Sequence, residues 1–239
     1  MGRLLKALLD FIYPPRCSVC GAFIWEHRPI CPKCEAGIGK ITHPICVICG
    51  LPFFSGEDHP CGDCSNHPPP FDRARSAAIY AGSLQPAITH FKFGRKTGLA
   101  KPLGKLMAES LIGEFEPGEI DCIIPVPLHR KRLRWRGFNQ ALLLAREISA
   151  ATGLWVDPLT LKRIRETRPQ TRLPFKERGE NVRGAFAVVR ETFVRDRSIL
   201  LVDDVFTTGS TIIECSRMLK KAGAARIQAL TVARATTDI

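Results

Sequence analysis

Eight of the ten cysteines fall into four CxxC pairs: Cys17 and Cys20, Cys31 and Cys34, Cys46 and Cys49, Cys61 and Cys64. A CxxC turn aims two sulfurs at one point, and two such turns complete a tetrahedral thiolate shell for Zn²⁺. Four pairs therefore predict two zinc ions with four cysteine ligands each. Sulfur then fills every ligand position and none is open to water, so the expected role is structural. Sequential use puts Cys17, Cys20, Cys31 and Cys34 on one ion and Cys46, Cys49, Cys61 and Cys64 on the other. A crossed arrangement would join the first pair to the third; sequential use is the expectation. Gly21 and Gly50 directly follow a pair, where a tight knuckle needs positive φ. A redox CxxC would sit beside a βαβ unit and would not recur four times. Disulfides would need an oxidising compartment, and iron–sulfur ligation is the other alternative. With eight cysteines at hand, His27, His43, His59 and His67 read as turn residues.

A second stretch with chemical content runs from Ile199 to Thr211. Four apolar residues lead into Asp203 and Asp204. A short loop follows, with hydroxyls at Thr207, Thr208, Ser210 and Thr211 around Gly209, and it opens a helix. In an open α/β sheet, ligands bind beyond the carboxyl ends of the strands. The free N–H groups of a helix N-terminus cradle a phosphate. Gly209 would let the backbone approach that phosphate, the hydroxyls add donors, and the two carboxylates suit the vicinal hydroxyls of a ribose. Simple helix capping accounts for one hydroxyl, not for four beside a carboxylate pair. No GxxxxGK[ST] loop is present, so a Walker-type nucleotide site is not indicated.

A third segment, Ile123 to Gln140, is an apolar strand running into a basic loop and then a helix. Arg130, Lys131, Arg132, Arg134 and Arg136 put five cations in seven residues. Its position after a strand makes Arg130 and Lys131 candidate ligands for a diphosphate. A fourth segment, from Arg168 through Thr171 to Arg178, Asn181, Arg183 and Phe186, reads as a basic lid or an exposed connection.

These groups need a scaffold. The chain has 239 residues, 45% apolar and 24% charged, enough for a packed core. Expected strands cover 76–81, 121–126, 159–163, 198–203 and 226–233. Expected helices cover 84–93, 99–115, 137–152 and 209–222. Continuous apolar strands between helices predict a buried parallel sheet, hence an α/β fold. The net charge of +12 lies wholly in residues 71–239, because residues 1–70 carry six cations and six anions. Charge, cysteine usage and the rigid run Pro68-Pro69-Pro70 set a boundary between a cysteine module, 17–70, and an α/β domain, 71–239. Residues 1–16 read as an amphipathic helix packed on the body. Lys6, Asp10 and Pro14-Pro15 make it too short for a membrane span. It has no small-residue cleavage site either, so no transmembrane segment and a cytoplasmic location are expected. A basic excess of this size suits an anionic partner.

The order of these motifs resembles the ComF family, named for competence for DNA uptake. The resemblance rests on the four CxxC pairs, Pro68–Pro70, Phe91-Lys92-Phe93, Pro125-Val126-Pro127, Arg136-Gly137-Phe138-Asn139-Gln140, Arg178 with Asn181, and the Asp203–Thr211 loop. The last of these is similar to the ribose-phosphate loop of type I phosphoribosyltransferases. The resemblance implies a type I phosphoribosyltransferase-like sheet preceded by a double zinc ribbon that stands in for the nucleobase-side hood. It implies binding of 5-phosphoribosyl 1-diphosphate with Mg²⁺ and transfer to a nitrogen acceptor. Asp203 and Asp204 would serve the ribose and the developing charge, residues 207–211 the 5-phosphate, and Arg130 and Lys131 the diphosphate. The rival expectation is a non-catalytic adaptor or sensor that holds single-stranded DNA, with Trp135 available for stacking, and that meets the DNA-uptake machinery.

Overall fold

The structure is a computed structural model that describes residues 14–26, 28–167 and 177–236. Most of the helix expected over 1–16, His27 and the Arg168–Thr171 part of the lid lie outside the described residues. Two one-turn helices, α1 (Pro32–Ala36) and α2 (Gly62–Asn66), sit within the cysteine module. The α/β body follows as β1 (Arg73–Ile79), α3 (Leu84–Phe93), α4 (Ala100–Glu114), β2 (Cys122–Pro125), α5 (Arg130–Arg136), α6 (Gln140–Thr152), β3 (Leu161–Arg163), α7 (Glu177–Val182), β4 (Phe186–Val188), α8 (Glu191–Val194), β5 (Ser198–Phe206), α9 (Ser210–Lys221) and β6 (Arg226–Arg234). Among the described residues no helix is long and apolar enough to cross a membrane.

Four strands form one parallel sheet in the order β1-β6-β5-β2. Its two faces follow from the period-two alternation of strand side chains. Leu200, Val202, Leu230 and Val232 pack with Leu84, Ile88, Phe91, Leu103, Met107 and Leu144 of α3, α4 and α6. Ile199, Leu201, Ile227 and Ala229 face the other way, onto Ile212, Cys215 and Leu219 of α9. Burial on both faces requires the uninterrupted apolar runs seen in β5 and β6.

Two expectations are corrected. The strand expected over 159–163 does not join the parallel sheet: Leu161–Arg163 pairs antiparallel with β4 in a separate two-stranded sheet. Only Leu161 of its three residues is buried, because Lys162 and Arg163 cannot enter a sheet covered on both faces. The basic loop expected after β2 is largely the helix α5. His129 caps its start by accepting from Lys131 N at 3.4 Å, and Gly137 ends it at φ +88°. Arg, Lys and Leu are good helix formers, and the density of charge masked that propensity.

The cysteine module forms two clusters, Cys17/Cys20/Cys31/Cys34 and Cys46/Cys49/Cys61/Cys64, with the sulfurs of each within 4.8 Å of one another. Sequential pairing is therefore the observed one. Gly21 and Gly50 hold φ of +76° and +67°, as the knuckles require. The sulfurs fit Zn²⁺ on their surroundings too. Cys46 Sγ accepts from Cys49 N at 3.4 Å and Cys61 N at 3.2 Å, and Cys17 Sγ accepts from Cys31 N at 3.3 Å. Burial raises the Cys46 thiol, but these N–H donors outweigh it and bring the group down to about 7, toward the thiolate that metal binding needs.

The module lies along β1, which would otherwise be a bare sheet edge. Ala74 N donates to Ile48 O at 2.7 Å, Ile79 N to Gly39 O at 2.9 Å, and Ile41 N to Ala77 O at 3.2 Å. These bonds close an edge that would invite pairing with other chains. A Cβ on Gly50 would stand 2.8 Å from Ala74 O, so the second knuckle reaches the strand only with glycine. Polar clasps hold it there. Arg75 Nε lies 2.7 Å from Glu114 Oε2, and His43 lies between Asp58 Oδ2 (2.6 Å) and Glu114 Oε1 (2.9 Å). His90 Nδ1 on α3 meets Ser18 O of the first knuckle at 2.7 Å.

Two tests follow from this arrangement. Elemental analysis should return about two zinc ions per chain, and Cys17→Ser or Cys49→Ser should release zinc and unfold its own knuckle, since the metal supplies the stability of so small a unit. Iron, or a folded sample without metal, would contradict this. His43 is raised above its ordinary value by hydrogen bonds to Asp58 and Glu114. The folded state therefore holds that proton more tightly than the unfolded chain. The stabilisation is full below about pH 6.5 and fades as pH rises through the elevated folded value. Thermal melts of wild type and His43→Ala should differ at pH 6 and converge by pH 9; a gap that widens with pH would refute the clasp.

Candidate functional site

The carboxyl end of β5 carries the acidic pair. Asp203 is 9% exposed and Asp204 is 4% exposed. Asp203 Oδ1 accepts from Asp204 N at 2.9 Å, and Lys92 Nζ of α3 lies 2.9 Å from Asp204 Oδ1. The remaining oxygen, Asp204 Oδ2, is buried with no hydrogen-bond partner among the described residues. Burial, then the neighbouring Asp204, pushes the Asp203 carboxyl up to about 7, against the opposing pull of Lys92 and Arg163. A buried oxygen without a partner costs free energy unless something else satisfies it. Such an oxygen fits a ribose hydroxyl or a hydrated Mg²⁺.

Beyond the pair, the backbone turns into α9. Gly209 caps the helix at φ +73°, and a Cβ there would come within 2.5 Å of the Phe206 ring. The glycine is thus required by the turn and by Phe206. Gly209→Val would distort the loop itself, more than the blocked approach of a ligand expected from sequence. Thr208 Oγ1 accepts from Ser210 N at 3.2 Å and lies 2.5 Å from Ser210 Oγ. Thr207, Gly209, Ser210 and Thr211 line a small pocket with Val205 and Phe206. The start of α9 thus presents free first-turn N–H groups beside several hydroxyls.

The cations divide into two sets. Arg130 and Lys131 are exposed at the start of α5, and Lys131 Nζ lies 2.7 Å from Glu166 Oε2. Three arginines sit deeper. Arg136 is buried, donates to Gln140 Oε1 at 2.5 Å, and stacks 5.2 Å from the Phe93 ring centre. Arg132 Nη2 donates to Thr167 O at 3.1 Å, and Arg163 donates to Thr167 Oγ1 and lies over Phe186. Burial lowers all three, Arg163 to about 10, with Arg132 lowering Arg136 and Arg163 further while the two aspartates hold the charge on Arg136. The Nε atoms of Arg136 and Arg163 are buried and unpartnered among the described residues. Like charges gathered at partial burial, with donors to spare, fit a polyanion.

Lys92 and Arg163 were not assigned a role from sequence. Lys92 carried a signal, a cation between Phe91 and Phe93 at the end of an amphipathic helix. Arg163 carried none, since its place depends on the antiparallel pairing of β3 with β4. The described part of the expected lid is a helix and strand tied to α9: Gly184 N donates to buried Glu214 Oε1 at 2.7 Å. Trp135 is 62% exposed on α5, near Phe93.

Residues 8–65 match the double zinc ribbon domain, and residues 140–238 match the phosphoribosyl transferase domain. The chain is 35% identical over 206 residues to the DNA utilization protein YhgH of Escherichia coli K12, covering 84% of this chain and 88% of that protein. It is 33% identical over 229 residues to competence protein F of Haemophilus influenzae, covering 92% and 97%. Among solved structures it is similar, at 22% identity and a TM-score of 0.37, to a glutamine phosphoribosylpyrophosphate amidotransferase from B. subtilis. That match covers 55% of this chain, which spans about a quarter (25%) of the enzyme's length. With identity above 30% over nearly the whole of its relatives, a double zinc ribbon, and a match to the phosphoribosyl transferase domain, the chain belongs to the ComF family of competence protein F.

Proposed function

We propose that the chain binds 5-phosphoribosyl 1-diphosphate with Mg²⁺ and transfers the phosphoribosyl group to a nitrogen nucleophile. The observation that carries this reading is the buried pair Asp203–Asp204, with Asp204 Oδ2 unpartnered, set directly before a hydroxyl-rich helix N-terminus. Asp203 and Asp204 accept the ribose hydroxyls, and residues 207–211 hold the 5-phosphate. In the transfer, the bond from C1 to the diphosphate oxygen breaks and a C1–N bond forms. Electron density leaves with the diphosphate while positive charge grows on the ribose, where the nearby carboxylates stabilise it. Arg132, Arg136 and Arg163, with Arg130 and Lys131 further out, receive the departing anion. Mg²⁺, if held beside Asp204 Oδ2, would supply positive charge that stabilises the departing diphosphate. Lys92 holds Asp204 in place between these groups. The names of its relatives extend the proposal to DNA utilization and competence, in a cytoplasm that keeps the thiols reduced.

A second reading, contact with single-stranded DNA, is favoured by one observation. Trp135 stands exposed on α5 between the exposed Arg134 and the base of the arginine set. An exposed indole stacks on an unpaired base while neighbouring cations neutralise phosphates. Incubation with labelled 5-phosphoribosyl 1-diphosphate and a panel of nitrogen bases separates the readings. Base-dependent release of diphosphate marks the transferase; saturable binding without release marks a sensor or adaptor.

Asp203→Asn and Asp204→Asn should each weaken binding of the ribose phosphate in calorimetry, by about 1.5–3 kcal/mol per lost charged hydrogen bond. Asp203→Asn should also stabilise the free protein. With its pKa raised in the folded state, Asp203 makes stability fall as pH climbs from the ordinary carboxylate range to about 7. The amide removes that loss, so its melting temperature above pH 7 should exceed wild type, by roughly 2–4 °C per kcal/mol relieved. Equal affinity in wild type and both variants would refute the site. On the DNA side, Arg130→Ala and Arg134→Ala should each flatten the log–log salt dependence of oligonucleotide binding by about 0.7. Trp135→Ala should weaken it by about 1–3 kcal/mol. An unchanged slope in fluorescence anisotropy would move the contact elsewhere.

A further inference from the structure

Arg234 ends β6 beside Phe206, its register partner on β5. The side chain is buried, with its guanidinium carbon 4.2 Å from the centre of the Phe206 ring. Nη1 donates to Cys49 O at 2.6 Å, and Nη2 donates to Cys49 Sγ at 3.4 Å. The tip of the same ring fills the space where a Cβ of Gly209 would stand, 2.5–2.7 Å away. Phe71 meets the same ring edge-on at 6.2 Å, just after the proline run. One buried cation thus separates a metal-ligand sulfur from the aromatic wall against which the phosphate loop is moulded. The first cysteine cluster reaches the body elsewhere, through Ser18 and His90 of α3 and through Gly37 against Ser83.

The charge on the two sides explains why the position is an arginine. Four thiolates around Zn²⁺ carry a net charge of −2, and their sulfurs accept hydrogen bonds as anions. A buried guanidinium is tolerated where such an anion faces it. A forked, planar cation can bridge a carbonyl and a sulfur with its Nη atoms while its face covers an aromatic ring; lysine cannot do both. If the cluster is empty, the sulfurs lose the ion that fixes them and the knuckle loses its fixed carbonyl. Arg234 then has nothing to hold it flat against Phe206, and the loop loses one wall.

We propose that Arg234 is a positioning residue that couples metal occupancy of the Cys46/Cys49/Cys61/Cys64 cluster to the order of the Thr207–Thr211 loop. The loop is then competent to bind a phosphate ester only when this cluster is loaded. The phosphate part rests on the function proposed above; the coupling itself does not. Coupling of this kind is reciprocal, so a phosphate ester in the loop should tighten metal binding at this cluster by the factor with which the metal favours the ester.

Hydrogen exchange of the 207–211 amides, zinc content, and calorimetry with ribose 5-phosphate on the full chain test the proposal. Arg234→Met should keep two zinc ions, exchange its loop amides about tenfold faster and bind ribose 5-phosphate about tenfold more weakly, within the usual range of coupling between sites. Wild-type exchange rates in a variant that retains both zinc ions would overturn the coupling. If Arg234→Met fails to fold, Arg234→Lys retains the cation without the fork. Faster loop exchange with both zinc ions bound supports the proposal, and unchanged exchange overturns it. If ribose 5-phosphate binds neither wild type nor variants, the functional reading fails, and the exchange data still decide the coupling.

Discussion

Everything at the candidate site depends on holding two adjacent carboxylates at the buried end of a parallel strand. Asp203 and Asp204 repel one another and are cut off from water. That combination raises Asp203 to about 7. The surrounding structure answers it with cations drawn from three separate elements: Lys92 from the end of α3, Arg136 from α5 and Arg163 from β3. Each of these is itself partly desolvated, so neither set is well accommodated alone. A ligand that brings hydroxyls to the carboxylates and phosphates to the arginines relieves both. The site is destabilising in the free fold, the pattern expected where a protein gives up stability for function.

The cysteine module has a different physical task. Residues 17–70 cannot bury a core of their own, and metal ligation replaces it. The folded knuckles then cover the free edge of β1 and dock on α3 and α4. α3 carries Lys92, and β6 ends in Arg234, so both contacts of the module lead back toward the loop chemistry. The ribbon is therefore not an appendage beside the sheet. It closes the sheet edge and bears on elements that supply the site.

Much of this was legible in the residues. The CxxC spacing is set by ligand geometry, which is local, so two four-cysteine sites could be read from it, while the choice of sequential over crossed pairing is settled by the fold. The central strands β5 and β6 are buried on both faces and leave an unmistakable apolar run ahead of Asp203. The loop residues Thr207 to Thr211 follow from the same local pattern. What was not legible depends on contacts distant in sequence. β3 looks like any short strand, and only pairing with β4 takes Arg163 out of the sheet and toward Asp203. The helix of α5 was hidden because five cations in seven residues suggest a solvated loop, although neighbours on a helix point about 100° apart, which turns Arg132 away from Lys131 and Arg136 away from Trp135. The contact of the Phe206 ring with Gly209 was not legible either, because nothing in the sequence places that ring there.

On the proposed function, the loop after β5 holds the 5-phosphate and the arginine set behind it holds the diphosphate of one sugar phosphate. Phosphorus NMR of 5-phosphoribosyl 1-diphosphate with Mg²⁺ addresses both at once, because the 5-phosphate and the diphosphate resonate separately. With protein in excess, the account predicts that both sets of signals shift or broaden, and that Asp204→Asn moves them back toward their free positions. Signals left at their free positions by the zinc-loaded wild-type protein would contradict it.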